Sequence, residues 1–454
     1  ESKETTVSYS SLYESSGYLS DFYSPKALFL IVCNNTIQNY LVYHSVIVNH
    51  LVPILLSAEL DEAAIVNLVE AYQPKYCWIP TTMDFAAKGF EPRFEDENGY
   101  TLFVNPRCSN EQLHQDLCQL LSTSGSTGTQ KFVRQSQMNF ESNTHEIAKY
   151  LDIQSDDKVI TTLPLSYTYG LSVINTHILS GATVYFSHYT LMEKPFWKEV
   201  ADQKITTFNG VPFTYQVIKK LKIDRLDFSS VRVFTQAGGR LDEVLQRFFG
   251  EYCLANNKRF FIMYGQAEAT TRMSYLPYKE VLRKSGCVGI PFGDGQFKIL
   301  GKDREYLPAM QQGDIFYSGA NVCMGYALGY EDLFKGDEFN GLLDTGDVGY
   351  LDNDGYLNIT GRTKRFAKLF GISINLDELD IIHSQRFSDN FFASIEYKNK
   401  IMVFSDHQNK REVLLHISKA LKLPITSFRF FSIESLPRLK NNKVDFSKLK
   451  TFLN

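Results

Sequence analysis

The chain has 454 residues, 44% of them hydrophobic and 14% aromatic, which is too long for one compact unit, so two or three domains are expected. A formal net charge of −4 argues against general affinity for nucleic acid or anionic membrane. Seven scattered cysteines without CxxC spacing favour a reducing compartment over a zinc site or a disulfide framework.

Residues 1–20 are polar and hydroxyl-rich, without a signal-peptide pattern. The apolar runs at 27–33 and 46–56 are short or interrupted by Asn49, His50 and Pro53. They fall below the roughly 18 residues that a membrane span needs. A soluble, cytoplasmic protein is expected. Residues 62–71 have helical periodicity and lead into a short strand at 76–80. Further strands are predicted at 158–163, 182–186, 205–208, 231–234 and 259–263, separated by helices at 171–179, 213–221 and 241–252. Such alternation argues for an α/β fold of parallel sheets covered by helices. Between 286 and 360 the helical periods fade and Gly/Asp turns separate short strands, the texture of an antiparallel β-rich subdomain. Beyond Gly361 a small α+β segment is expected. It has helices near 377–382 and 412–421, strands near 391–395, 401–404 and 428–431, and a last helix capped by Asp445. The boundary falls at Gly361-Arg362-Thr363-Lys364, dividing the chain into a large domain, 1–361, and a small mobile domain, 362–454. Residues 391–454 are rich in lysine, read either as a solvated face or as a docking patch.

Residues 122–131 read Ser-Thr-Ser-Gly-Ser-Thr-Gly-Thr-Gln-Lys. With no apolar side chain to bury, the segment suits a polyanion. Gly125 and Gly128 allow close backbone approach, hydroxyls and amides donate, and Lys131 adds a point charge. It is not a Walker A loop. A flexible linker is the competing reading. Glu268, in Tyr264-Gly265-Gln266-Ala267-Glu268, follows a strand, where ligands collect in open α/β sheets. There it could hold Mg²⁺ beside a triphosphate or simply start a helix. Asp347, in Asp344-Thr345-Gly346-Asp347, could accept from a ribose diol or merely make a turn. Arg362 offers a fork of donors, and Lys443 lies in a lysine-rich tail.

In this order and spacing, the set resembles the ANL superfamily: acyl-CoA synthetases, adenylation domains of peptide synthetases, and luciferases. Leu163-Pro164-Leu165, Gly238-Gly239, Gly289-Ile290-Pro291 and Gly325-Tyr326 are smaller echoes of the same pattern. The resemblance implies that Thr123, Ser124, Gly125, Ser126, Thr127, Gly128, Thr129 and Lys131 contact ATP phosphates. Glu268 is then the Mg²⁺-associated acid, Asp347 the ribose ligand and Arg362 a nucleotide contact, with Gly238, Gly239, Tyr264 and Gly265 framing the nucleotide. Lys443 resembles the lysine that bridges the attacking carboxylate and the α-phosphate. Lys364 is similar to the hinge position, and Lys368 lies in the segment that swings inward for thiol transfer. Gln130, Ala267, Asn442 and Leu376 depart from the family's usual proline, threonine, glycine and proline.

At that family's spacing, Tyr167 and Thr168 fall where peptide-synthetase domains place an aromatic and an aspartate. A threonine cannot neutralise a buried ammonium, so an α-amino acid is disfavoured. Asn209, Gly210, Gln236, Ala237, Gly238 and Gln266 would line the rest of the pocket. The set suits a short or hydroxylated acyl group or a small aryl acid. The resemblance implies an ATP- and Mg²⁺-dependent acid–thiol ligase that passes the acyl group to CoA or to the phosphopantetheine of an acyl carrier protein. The alternatives are an amino-acid adenylation enzyme loading a carrier and a catalytically dead nucleotide-binding regulator.

Overall fold

The computed structural model describes residues 5–15, 26–108, 112–122, 131–362, 365–369, 372–387, 390–421, 423–439 and 443–453. An eight-stranded sheet is built around the parallel strands Val52–Ser57, Leu28–Cys33 and Tyr76–Pro80. Strand Leu28–Cys33 is buried along its whole length, because helices and loops cover both faces. A seven-stranded sheet follows. Its strands Arg259–Tyr264, Val233–Gln236, Thr207–Gly210, Lys158–Ile160 and Thr183–Tyr185 are all parallel.

The two sheets pack through shared helices. Leu171 and Ile174 of helix Thr168–Leu179 join Phe29, Ile31, Leu55 and Trp78 of the first sheet. Tyr169 and Val173 of the same helix meet Val233, Phe261 and Met263 of the second. Full burial of one such side chain contributes about 1.5–3 kcal/mol. Helices Lys194–Asp202, Pro212–Leu221 and Glu243–Ala255 cover the far face of the second sheet. Helix Gln137–Leu151 starts in a reciprocal cap. Ser136 Oγ accepts from Asn139 N at 3.1 Å, and Asn139 Oδ1 accepts from Ser136 N at 2.9 Å. The Asn139 amide also donates to Ala320 and Val322 carbonyls, fixing the 320–322 segment to this helix.

The third sheet is antiparallel, in the order Gln296–Leu300, Gly313–Ser318, Leu342–Leu351, Leu357–Arg362. Asp347 was expected in a turn but stands inside the ten-residue strand Leu342–Leu351, directly opposite Arg362. The register shifts just beyond them, between Val348 and Gly349, which is a bulge. After Arg362 a ribbon, Phe366–Leu369 with Ile372–Asn375, leads into the three-stranded sheet Phe392–Tyr397, Lys400–Ser405, Phe428–Ser432. Among the described residues, its cores draw on residues from Ala367 onward. The last helix, Phe446–Leu449, is capped by Asp445, whose carboxylate accepts from Lys448 N at 2.9 Å. Among the described residues no helix is long and apolar enough to cross a membrane.

Candidate active site

Carboxyl ends of parallel strands from both sheets, residues of the third sheet, and Leu439, Lys443, Phe446 and Lys450 surround one cleft of about 1970 Å³. Lys131, Glu268, Asp347, Arg362 and Lys443 all line it, although they are spread over more than 300 positions of chain. Ser122 also lines it, whereas Thr123, Ser124, Gly125, Ser126, Thr127, Gly128 and Thr129 lie outside the described residues, as does Lys364. Lys368 pairs with Ser373 across the ribbon, and its side chain is likewise outside the description.

Lys131 Nζ sits 3.7 Å from the centroid of the Tyr326 ring. The Tyr326 hydroxyl donates to Glu268 Oε1 at 2.8 Å. Loop lysine and turn glutamate are therefore linked through one aromatic side chain. The sequence offered Tyr326 only as part of a Gly-Tyr echo, and it was not singled out as a site residue. Burial raises the Tyr326 phenol well above its ordinary range, and the Glu268 carboxylate raises it further, so the proton stays on the tyrosine.

Glu268 is held in a tight turn, Ala267–Ala269, immediately after strand Arg259–Tyr264. Gly265 is required there, since a Cβ would lie 2.0 Å from the Thr271 carbonyl oxygen. Thr270 and Thr271 follow with φ of 50° and 100°, the second costly for a β-branched residue. Strain of this kind persists only where the surroundings over-determine it. Here Thr270 Oγ1 donates to Asn321 O at 2.7 Å and Thr271 Oγ1 to Thr168 O at 3.3 Å.

Asp347 is nearly buried. Its Oδ2 accepts from the Tyr264 hydroxyl at 2.5 Å and its Oδ1 from Arg362 Nε at 3.1 Å. Burial raises its carboxyl above the usual range, with Arg362, Tyr264 and Lys443 opposing. The Arg362 side chain is 61% exposed and reaches into the cleft from the opposite strand. Lys443 is pushed down to about 8, first by burial and then by the Arg362 charge, while Glu268 and Asp347 pull it back up. Its carbonyl accepts from Leu439 N at 2.8 Å, and the neighbouring Val444 bridges Arg438.

Tyr167, Thr168, Ala237, Gly238 and Gln266, predicted as pocket residues, line the cleft. Gly238 has φ of 81°, and a Cβ there would come within 2.5 Å of the Tyr167 hydroxyl. Asn209, Gly210, Gln236 and Gly239, expected on this wall or beside the nucleotide, are not on the lining. Asn209 and Gln236 are fully buried at strand ends. Asn209 Oδ1 accepts from Thr235 Oγ1 at 2.6 Å, and Gln236 Nε2 donates to the Gly239 carbonyl at 2.8 Å. Gly210 backs onto Thr214 and Tyr215, and Gly239 onto Pro212. These four shape the wall from behind.

No group of three or more His, Cys, Asp or Glu side chains among the described residues forms a metal-binding cluster. Mg²⁺ that arrives with a triphosphate needs only one or two protein carboxylates, because phosphates and water supply the other ligands. Glu268, inside the cleft and next to Lys131 through Tyr326, fits that requirement.

Comparison with known proteins agrees with this geometry. A family model described as AMP-binding enzyme matches residues 5–327. An oxalate–CoA ligase of Arabidopsis thaliana is 29% identical over 271 residues, 58% of this chain and 51% of that protein. A long-chain-fatty-acid–CoA ligase of Escherichia coli is 27% identical over 358 residues, 74% of this chain and 59% of that protein. The chain spans about half the length of the curated relatives it matches. The fold is that of o-succinylbenzoate coenzyme A synthetase from Bacillus subtilis, solved with ATP and a magnesium ion. The TM-score is 0.79 and the identity 20%, covering 99% of this chain and 95% of that one. With its motifs, fold and family match in agreement, the chain belongs to the AMP-binding enzymes of the ANL superfamily.

Proposed function

We propose that this chain is an acid–thiol ligase that activates a small carboxylic acid as an acyl-adenylate and transfers it to the phosphopantetheine thiol of CoA. The carrying observation is the convergence of Lys131, Glu268, Asp347, Arg362 and Lys443 on one cleft. In the first step the acid's carboxylate oxygen forms a bond to the α-phosphorus of ATP. The bond from that phosphorus to the bridging oxygen breaks, and pyrophosphate leaves. Two anions must meet, so neutralisation dominates the barrier. Lys443, with its depressed pKa and desolvated ammonium, is suited to bind both the carboxylate and the α-phosphate. Lys131 suits the outer phosphates, and Asp347, oriented by Tyr264 and Arg362, suits the ribose hydroxyls. Glu268 would hold Mg²⁺, which supplies charge neutralisation on the leaving phosphates.

In the second step the thiol sulfur attacks the acyl carbon, AMP leaves and the thiol proton is released. That step requires Lys443 to withdraw. We assign the rotation to a small domain formed by residues 362–454 about Lys364, with Lys368 on the incoming face. Arg362, the first residue of that domain, pairs with Asp347 of the third sheet and marks the junction about which it turns.

The names of the relatives include oxalate, feruloyl, sulfoacetate and 2-succinylbenzoate CoA ligases beside long-chain-fatty-acid–CoA ligases; all support CoA as acceptor, and the first four support a small or aryl acid. The neutral Thr168 on the acyl wall disfavours an α-amino acid. ATP–pyrophosphate exchange across a panel of acids tests the reading, followed by thioester formation with CoA and with a carrier protein. Exchange with standard α-amino acids alone would replace it with the carrier-loading alternative. ATP binding without exchange for any acid would favour a nucleotide-binding regulator.

A further inference from the structure

Behind the acyl wall lies a cation that the reaction above does not use. Arg272 is fully buried, and none of Nε, Nη1 or Nη2 donates to a carboxylate or a carbonyl; the Tyr150 phenol alone stands close enough to share a side-chain hydrogen bond with it. No carboxylate among the described residues forms an ion pair with it. Its guanidinium carbon lies 4.9 Å from the centroid of the Tyr169 ring. The Tyr150 phenol is the other polar neighbour. Its proton goes to Met263 Sδ at 3.0 Å, and Arg272 opposes the burial that pushes it up to about 12. Aromatic faces attract a cation, but they do not replace the five hydrogen bonds a guanidinium offers. A desolvated charge left in this state is costly, and an apolar side chain of the same shape would serve the resting fold better.

The position is also held on purpose. Arg272 follows the strained Thr270–Thr271 turn, and its carbonyl accepts from the side-chain amides of Asn143 and Asn321, each at 2.9 Å. Its two neighbours toward the cleft, Tyr169 and Thr271, are themselves lining residues. The guanidinium therefore sits one side chain behind the acyl wall. Tyr167, whose ring is 6.5 Å from that of Tyr169, and Gly238 packed against it leave the wall there neutral.

We propose that Arg272 is a specificity residue. It receives a second anionic group, a carboxylate or sulfonate, at the far end of the acid being activated. A diacid completes the cation's coordination when Tyr169 or Thr271 yields, whereas a plain alkyl chain would be packed against an unpaired charge. The inference depends on the adenylation reading above and narrows its substrate class.

The test is ATP–pyrophosphate exchange with length-matched pairs, such as succinate against butyrate and glutarate against pentanoate, for the wild type, R272M and R272K. The wild type is expected to favour the best diacid by at least about 100-fold in kcat/KM. R272M should lose about that factor on the diacid and keep or improve the monoacid, with R272K in between. The diacid should raise the Tm of the wild type but not of R272M, and R272M alone should melt no lower than the wild type. Equal use of both acids by the wild type, or an unchanged ratio in R272M, would overturn the assignment while leaving adenylation intact. So would an R272M that melts far below the wild type, since the cation would then be structural. Exchange with no acid at all would remove the adenylation reading and this inference with it.

Discussion

Arg134 and Arg362 each donate to one carboxylate, Glu338 and Asp347 respectively, but they are built into the molecule in different ways. The Arg134 side chain is completely buried and satisfied. Nε donates to Tyr326 O and Nη1 to Gly336 O, both at 3.1 Å, and Nη1 also donates to Lys335 O. Nη2 donates to Met324 O at 3.0 Å and to Glu338 at 2.5 Å. This arginine ties strand Phe132–Ser136 to the 324–338 segment and thereby holds Tyr326 against Lys131 and Glu268. The Arg362 side chain is 61% exposed, and its ion pair leaves most of the fork turned to the cleft. A charge that closes its own hydrogen bonds serves the fold. One left facing a cavity beside a lysine whose pKa is lowered serves a ligand.

Five experiments can break or sharpen that contrast. Arg134→Ala strands several buried carbonyls and should cost about 3–5 kcal/mol of stability, read as a lower denaturant midpoint. Lys443→Ala should raise the adenylation barrier by about 2.7–4 kcal/mol, a loss of about 100- to 1000-fold in exchange, with ATP still bound and the melting temperature unmoved. Equal melting losses in the two variants would erase the distinction. Lys443 also fixes a pH limb. Its pKa of about 8 lies below that of a free lysine, so the cation is present at lower pH and is lost as pH rises through about 8. kcat/KM should fall on that alkaline side in the wild type, and Lys443→Arg should remove the limb. Arg362→Ala should weaken ATP use by roughly tenfold, about 1.4 kcal/mol, while stability changes little because the side chain is exposed. Tyr326→Phe deletes one hydrogen bond to Glu268, and its effect should be the smallest, about 0.5–1.5 kcal/mol. It should appear as a shifted magnesium dependence of exchange.

Legibility in the sequence varied with the physics of each region. The second sheet was readable because its strands alternate with amphipathic helices. The 259–263 prediction and the observed Arg259–Tyr264 differ by one residue. Most of the first sheet was not. Leu28–Cys33 is buried on both faces, so it has no alternation to detect, and by sequence its apolar run says only that it is too short for a membrane span. In the cleft, the charged groups stood out because charge is costly to place without a purpose. The neutral pocket misled: Asn209 and Gln236 lie next to the right strand ends, but their amides turn into the sheet to satisfy neighbouring groups.

The order of chemical groups along the chain resembles that of the ANL superfamily, and that resemblance was enough to expect an adenylate-forming fold. The chain order could not show that Asp347 faces Arg362 across a bulged ladder, that Tyr326 joins Lys131 to Glu268, or that Arg272 is buried without a carboxylate partner. Cross-strand register and desolvation arise from residues distant in sequence. The strength of each charge in the cleft was therefore decided only when the sheets came together.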